Sequence, residues 1–171
     1  MRLLQVATNT VSSAVSSVTL TGIDNDDVYM VALNNVSLSS DNKDLYMKYQ
    51  KASDSSTDST SNYDYVNKGL YASGSFQNNA NTNLTHHIIG FARGNATNES
   101  SNCIIYLYNT FSSSKYSLQT TEAVGLNYSA QTYGEQGGGV HTVNQSNSGV
   151  VFTWEGGGNF TSGTFTLYKV V

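Results

Sequence analysis

Short runs in which apolar and polar residues alternate recur along this chain, and they constrain its fold more than any other feature. The run LYMKYQ places Leu45, Met47 and Tyr49 on one face and Tyr46, Lys48 and Gln50 on the other. The final residues, SGTFTLYKVV, alternate in the same way. Because successive side chains of a β-strand point to opposite faces, a period of two predicts half-buried strands. No run has helical periodicity, so the sequence predicts an all-β chain.

Turn-forming segments separate these runs at short intervals. DDVYMVAL has apolar residues at both odd and even positions, as a strand covered on both faces has. NCIIYLYN and YSLQTTEAVGL are further strand-like runs. We interpret NNANTN and NYSAQTYGEQGGG as loops, and residues 52–64 as an exposed acidic-polar loop. About eight to ten strands remain. The predicted fold is a single antiparallel β-sandwich, jelly-roll-like in size.

The length of 171 residues fits one domain with its own core. Residues 1–16 lack core patterning, and we expect them to form an N-terminal arm or a first strand that serves as a docking segment. Residues 17–171 are expected to form the sandwich, which should fold without the arm. Proline is a common device for protecting sheet edges, and the chain contains none. Neighbouring copies in an assembly are one way to cover those edges.

Composition narrows the classes of function. Only 12% of the residues are charged, and the eight basic residues are scattered along the chain. The sequence therefore contains no cluster of basic residues that could bind nucleic acid. No segment approaches the roughly 18 apolar residues of a membrane span. The opening MRLLQV has an apolar run too short for a signal peptide. We expect a chain that is made in the cytoplasm and binds neither nucleic acid nor membrane.

No metal or cofactor site is predicted. The turn DNDD offers Asp24 and Asp26 as oxygen ligands, but the third ligand position of an EF-type calcium loop is apolar here. His86 and His87 are adjacent, so on a strand they would point to opposite faces. His141 is distant from both in sequence, and no carboxylate lies at a spacing from it that is typical of a metal site. Solvated turns and polar strand residues account for all of these side chains.

No catalytic site is predicted either. The chain lacks a G-x-S-x-G nucleophile elbow. Glu122, Glu135 and Glu155 could serve a glycosidase only if two of them flanked one cleft, which the sequence does not indicate. The glycines of GEQGGGVH are not followed by the lysine and helix of a phosphate-binding loop. We therefore expect a protein that is not an enzyme.

Twelve tyrosines favour a binding role. Tyrosine joins an apolar ring to a polar tip, which suits sugar stacking and protein interfaces alike. In the runs LYMKYQ and IIYLYN, Tyr46, Tyr106 and Tyr108 fall opposite the expected core face. We predict that these three tyrosines contribute to an interaction surface. A carbohydrate-binding module or lectin is accordingly an alternative of another class.

The ending SGTFTLYKVV resembles the C-terminus of small β-sandwich proteins from tailed bacteriophages, notably marine and cyanobacterial phages. The form SGTFTLYG followed by one apolar residue is common among them, and Lys169 departs from it. The segments SSVTLTGID, VYMVALNNV, NYDYVNKGLYA, IIYLYN and GGGVHTV also look similar. The resemblance therefore runs from about residue 17 to the end, and it includes no catalytic motif.

This resemblance implies a structural protein on the outside of the virion. It implies a tail-fibre or tail-attached component, with a capsid decoration protein as the alternative. Proteins of this kind are commonly symmetric oligomers, so the expected partners are further copies of this chain, as a homotrimer, and other virion proteins. A glycan on the host surface is a further expected partner.

Overall fold

A computed structural model describes residues 2–171 of the chain and assigns most of them to twelve strands. The strands are β1 (Leu3–Val11), β2 (Val18–Thr21), β3 (Tyr29–Leu38), β4 (Lys43–Lys51), β5 (Tyr63–Tyr71), β6 (Phe76–Leu84), β7 (His87–Arg93), β8 (Ser101–Tyr108), β9 (Ser117–Leu126), β10 (Thr132–His141), β11 (Asn147–Trp154) and β12 (Phe160–Val170). One 3-10 turn, Glu155–Gly157, follows β11.

The strands form two antiparallel sheets packed face to face. The large sheet has the order β1-β12-β3-β8-β9-β10-β5-β6, and the small sheet has the order β2-β11-β4-β7. The predicted all-β antiparallel sandwich is therefore confirmed. Its strands number twelve instead of the expected eight to ten, because segments interpreted as loops or as an arm are strands.

The strand order is that of a jelly roll with additions. Without β1, β8, β9 and β12, the two sheets are β3-β10-β5-β6 and β2-β11-β4-β7. In this eight-stranded set the chain crosses to the other sheet at every connection except the β5–β6 hairpin, which is the double winding of a jelly roll. The β8–β9 hairpin is inserted between β3 and β10, and β12 and β1 extend the sheet beyond β3. These additions give the large sheet twice as many strands as the small one.

The C-terminal strand lies inside the large sheet, between β1 and β3. Phe165 and Leu167 are fully buried, and Phe165 contacts Phe160 and Phe152 at ring-centroid distances of 5.1 and 5.5 Å. Ser162 and Gly163 form a bulge within this strand, with Gly163 at φ +128°. A Cβ on Gly163 would lie 2.8 Å from the Val36 Cα, so a side chain does not fit there.

The small sheet is too narrow to cover the large one. Its β2 packs near β1 and β12, while β7 packs near β9 and β5. Strand β6 lies beyond this cover at the edge of the large sheet, and both of its faces are polar and mostly exposed. NNANTN therefore has the sequence pattern of a loop, without an apolar face, although it belongs to β6.

Strand β1 occupies the other edge of the large sheet and pairs antiparallel with β12 from Leu3 to Val11. Most of its residues are exposed, which matches the missing core pattern. A bulge between Gln5 and Ala7 interrupts its pairing. Whether residues 1–16 dock on another protein stays a prediction.

Candidate interaction surface

The side of the large sheet that faces away from the small sheet carries exposed apolar side chains over β8, β9, β10, β5 and β6; we call this region the outer face. The strands alternate, so Cys103, Ile105 and Leu107 point into the core while Ile104 and Tyr106 point outward. The largest exposed apolar residues of the outer face are Val66, Leu70, Phe76, Ile104, Leu118 and Val124. Val66 and Phe76 are 63% and 64% exposed, and Val124 is 51% exposed. Exposed apolar surface of this extent is typical of interaction sites.

The register of the strands arranges the outer face in rows. One row crosses Ile104, Glu122, Gln136, Lys68 and Asn78 and contains two charges. A third charge, Asp64, lies two rows away, in register with Val140. The row on one side of it crosses Asn102, Val124, Gly134, Leu70 and Phe76. The row on its other side crosses Tyr106, Thr120, Gly138, Val66 and Ala80. Two mostly apolar rows therefore flank one charged row.

Two shallow grooves lie over the glycines of β10. The groove beside Gly134 has a volume of about 430 Å³, and Val124 and Leu70 form parts of its walls. The groove beside Gly138 has a volume of about 590 Å³ and is lined by Val66, Leu118 and Tyr108, among others. Because glycine has no side chain, the sheet backbone forms the floor of each groove. Both grooves fit apolar side chains of a partner better than a polar ligand.

The structure brings two of the three predicted tyrosines together. Tyr106 and Tyr108 project from β8 onto the outer face. Tyr46 projects from β4 of the small sheet, on the opposite side of the sandwich, where its ring stacks on His86 at a centroid distance of 3.6 Å. Burial raises the pKa of Tyr46 to about 12. Tyr46 therefore cannot share one surface with Tyr106 and Tyr108.

The candidate metal ligands of the sequence are engaged elsewhere. Asp24 accepts a hydrogen bond from the Tyr29 hydroxyl at 2.9 Å, and Asp27 pairs with Lys169. His86 lies outside on Tyr46, whereas His87 is fully buried. Across residues 2–171, no group of three or more histidine, cysteine or acidic side chains is placed to hold a metal ion.

The candidate carboxylates lie in three different places. Glu122 is on the outer face, where its Oε1 accepts a hydrogen bond from Gln136 Nε2 at 2.9 Å. Glu135 points inward and pairs with Arg93, and both side chains are almost completely buried. Glu155 begins the 3-10 turn at the end of the small sheet. Glu122 and Glu135 both border the groove beside Gly134, but their side chains lie on opposite faces of the large sheet, so the two carboxylates do not face each other across it.

Asp58 corrects the interpretation of residues 52–64 as an exposed loop. Its side chain is only 4% exposed. It accepts hydrogen bonds from the Thr60 amide and hydroxyl and from Gln145 Nε2, and it lies 3.3 Å from His141 Nε2. Burial raises the pKa of Asp58, but these hydrogen bonds and His141 outweigh it and leave that pKa below its ordinary value. The D-x-T pattern of an Asx turn is the only sequence signal of this anchor.

A buried polar cluster extends from this anchor into the interior. Tyr63 lies between the two buried histidines, with ring-centroid distances of 5.0 Å to His87 and 4.5 Å to His141. The Tyr63 hydroxyl donates to the Asp58 carbonyl at 2.9 Å and accepts from the Tyr49 amide at 3.1 Å. Burial lowers the pKa of both histidines, and His141 also disfavours protonation of His87. The cluster therefore keeps neutral imidazoles inside the sandwich.

Acidification is expected to destabilise the protein through His87. Burial lowers its pKa from 6.5 to about 3, so the unfolded chain takes up a proton below pH 6.5 while the folded chain does not. The unfolded state then binds more protons, and the free energy of unfolding falls as pH falls. Between pH 7 and pH 5, His87 alone should account for a loss of about 2 kcal/mol.

Urea denaturation at pH 7 and pH 5 measures this loss. The variant His87→Leu should lose about 2 kcal/mol less between the two pH values, whatever its stability at pH 7. Replacing Asn144, an exposed neutral residue, with alanine provides a control whose pH dependence should match that of the wild type. Equal losses in wild type and His87→Leu would show that His87 does not stay neutral in the folded protein.

The described part of the chain contains no helix that could span a bilayer.

Cys103 is a free, buried thiol, and burial raises its pKa to about 12.

Comparisons with known proteins give little similarity. No family model matches the chain, and no curated protein matches it. Among solved structures, it is similar to a fructofuranosidase from Schwanniomyces occidentalis complexed with fructosylnystose, with 7% identity over 98% of this chain and 34% of that chain, at a TM-score of 0.22. A structure of the infectious bursal disease virus Gx strain shares 12% identity over 99% of this chain and 41% of that chain, at a TM-score of 0.17.

An aerolysin-like protein from Bombina maxima shares 9% identity over 87% of this chain and 96% of that chain, at a TM-score of 0.14. The chain thus spans only 34% and 41% of the fructofuranosidase and bursal disease virus chains. TM-scores this low bear on neither its fold nor its function.

Proposed function

We propose that this chain is a non-enzymatic structural protein of a tailed bacteriophage virion, in a tail fibre or attached to the tail, where it self-associates and docks on other virion proteins. The observation that carries the proposal is the exposed apolar outer face. A protein that acts alone in solution gains nothing from leaving Val66, Phe76 and Val124 in contact with water, whereas an assembling protein buries them. The assignment to a phage virion rests on the resemblance to phage β-sandwich proteins, which begins at about residue 17 and runs to the end of the chain.

The architecture supports an assembly role for a second reason. Five hydrogen-bonded strands present the outer face, so its side chains are held in fixed rows. A rigid, preorganised surface loses little conformational entropy on binding. The ionisable groups of the interior contact one another, as in the pairs Arg93–Glu135 and Asp58–His141, and so are occupied by structural contacts.

Copy number in purified virions tests the proposal. Quantitative mass spectrometry of particles should find the protein at the low copy number of a tail component. A high copy number, comparable with that of the capsid protein, would instead favour the alternative of a capsid decoration protein. Absence from the particles would contradict both. The mass of the purified protein in solution tests self-association separately, and the homotrimer implied by the resemblance stays a prediction.

A carbohydrate-binding module is the second candidate, favoured by a small enclosed pocket at the β9–β10 turn. The pocket has a volume of about 130 Å³ and is lined by Tyr71, Tyr128, Tyr133, Asn127 and Gln131, among others. Aromatic rings beside amide groups suit a sugar ring, and a host surface glycan would be its source in a phage. Glycan-array binding lost in Tyr128→Ala would place the sugar here, and loss in Tyr106→Ala or Tyr108→Ala would place it on the outer face. No binding by the wild type would reject this candidate.

A further inference from the structure

Two opposite charges stand at equal distances from the middle of the outer face. Glu122 on β9 and Lys68 on β5 are both in register with Gln136 on the strand between them. Glu122 accepts a hydrogen bond from Gln136, and the Lys68 ammonium lies 4.3 Å from the centroid of the Phe76 ring. Within residues 2–171, neither Glu122 nor Lys68 forms a salt bridge, unlike Glu135 or Lys169. Each of the two charges is therefore free to pair with a partner.

The rows on either side are balanced about β10 as well. Val124 and Leu70 flank Gly134 in one row. Thr120 and Val66 flank Gly138 in the other. In these three rows β10 is thus a line about which, on the adjacent strands β9 and β5, an acidic position matches a basic one and an apolar position matches an apolar or small one. On the outer strands β8 and β6 the match is between apolar and polar residues, Ile104 with Asn78 and Phe76 with Asn102. In the next row Leu118 matches Asp64.

We propose that a second copy of this chain packs on the outer face. The two copies are related by a two-fold axis that runs parallel to β10, between the large sheet of one copy and the large sheet of the other. This rotation exchanges the left and right sides of the face and keeps each row opposite itself. Glu122 of each copy then faces Lys68 of the other, and Val124 faces Leu70. Such an interface is isologous, since the same patch serves both copies.

The charges select this axis over the other in-plane choice. A two-fold axis perpendicular to β10 would place Glu122 opposite Glu122 and Lys68 opposite Lys68. Like charges facing each other in an interface are unfavourable and exclude wrong arrangements. The complementarity of Glu122 and Lys68 about β10 therefore points to a second copy as the occupant and selects its orientation.

The outer face is large enough for a stable pair. Five strands at a spacing of about 4.8 Å, each contributing about eight residues at about 3.4 Å, span a plane of roughly 650 Å². The accessible area of the face is larger than this plane, because its side chains project from it. A standard interface buries about 800 Å² on each partner. Aligned packing of two sheets is a common geometry in β proteins. The pair rests on the self-association in the proposed function and specifies its geometry as two-fold, in place of the homotrimer that the resemblance implies.

Reversing the charges tests the pair. The full-length protein is examined by sedimentation equilibrium at low ionic strength, where the wild type should have twice the chain mass of 18.4 kDa. Glu122→Lys and Lys68→Glu should each weaken association at least about tenfold, because each puts like charges opposite one another at two symmetry-related places. The double variant Glu122→Lys with Lys68→Glu restores opposite charges and should regain affinity to within about threefold of the wild type.

Lys48→Glu is the matched control, since Lys48 projects from β4 on the opposite side of the sandwich. It makes the same charge change and should leave the mass unchanged. Circular dichroism of each variant verifies that it is folded. A monomeric wild type, a trimeric wild type, or a double variant as weak as the single ones would each overturn the pair. Loss of the pair with the protein still present in virions would leave the proposed function standing, and a stable pair absent from virions would contradict only that function.

Discussion

The variant Glu135→Gln is expected to lower the free energy of unfolding by about 3–5 kcal/mol. Arg93 is 1% exposed, and its guanidinium donates a hydrogen bond to Glu135 Oε2, which also accepts from the Phe91 amide at 3.0 Å. Glutamine keeps the shape of the side chain but removes the negative charge, which leaves the buried Arg93 charge without the carboxylate that accepts its hydrogen bond. Urea denaturation followed by the fluorescence of Trp154, the single and buried tryptophan, measures the loss.

Two further variants separate charge burial from a general loss of packing. In Arg93→Met combined with Glu135→Leu, both charges are replaced by apolar groups, and most of the lost stability should return. Asp27→Asn breaks the ion pair between Asp27 and Lys169 at the surface, where solvent screens the charges, and should barely move the urea midpoint. A loss in Glu135→Gln no greater than in Asp27→Asn would show that the Arg93–Glu135 pair is not buried in the folded protein.

The variant Phe165→Ala is expected to cost a similar amount, about 3–5 kcal/mol. Phe165 is fully buried and contacts Phe160 edge to face and Phe152 in a tilted arrangement, so alanine leaves a cavity among aromatic rings. Its strand also joins β1 to the rest of the large sheet. Thermal and urea unfolding of the variant measure the loss.

Thr164→Ala provides the control on the same strand, because Thr164 points to the opposite side and is partly exposed. That change should stay within about 0.5 kcal/mol of the wild type. Equal effects at the two positions would mean that the final strand does not pack with its Phe165 side toward the small sheet.

Alternation predicted the strands that lie under the small sheet. Leu45, Met47 and Tyr49 of β4 are buried as expected, and so are Phe165 and Leu167 of β12. These strands have one face in the core and one in solvent. Buried and exposed positions therefore alternate along each strand, and so do apolar and polar residues. The all-β sandwich followed from the sequence for this reason.

Strands β6 and β10 were missed for two different physical reasons. Strand β6 lies beyond the cover of the small sheet, so neither of its faces needed apolar residues. Strand β10 is glycine-rich because its neighbours approach closely. A Cβ on Gly139 would lie 2.5 Å from His87 Nδ1, and one on Gly137 would lie 2.4 Å from the Asn67 Cβ. Both causes depend on residues distant in sequence.

The composition of the outer face was predicted only in part. The period of two indicates that Tyr46, Tyr106 and Tyr108 point away from the core, but it does not indicate which sheet each strand joins. The structure puts Tyr106 and Tyr108 on the outer face and Tyr46 on the other side of the sandwich. The apolar residues of β9 and β5 that complete the face, such as Val124 and Val66, were not singled out, since each is an isolated apolar residue in a polar run.

The sequence by itself determined the type of secondary structure, the inward and outward sides of the strands beneath the small sheet, and the fold class. These properties are local, because they depend on side chains two residues apart. The tertiary structure decided the strand order, the unequal widths of the two sheets, the burial of Arg93, Glu135 and Asp58, and the alignment of Glu122 with Lys68 across β10. Each of these depends on pairing between segments far apart in the chain, where the free energy comes from the fit of two surfaces that no single run of residues specifies.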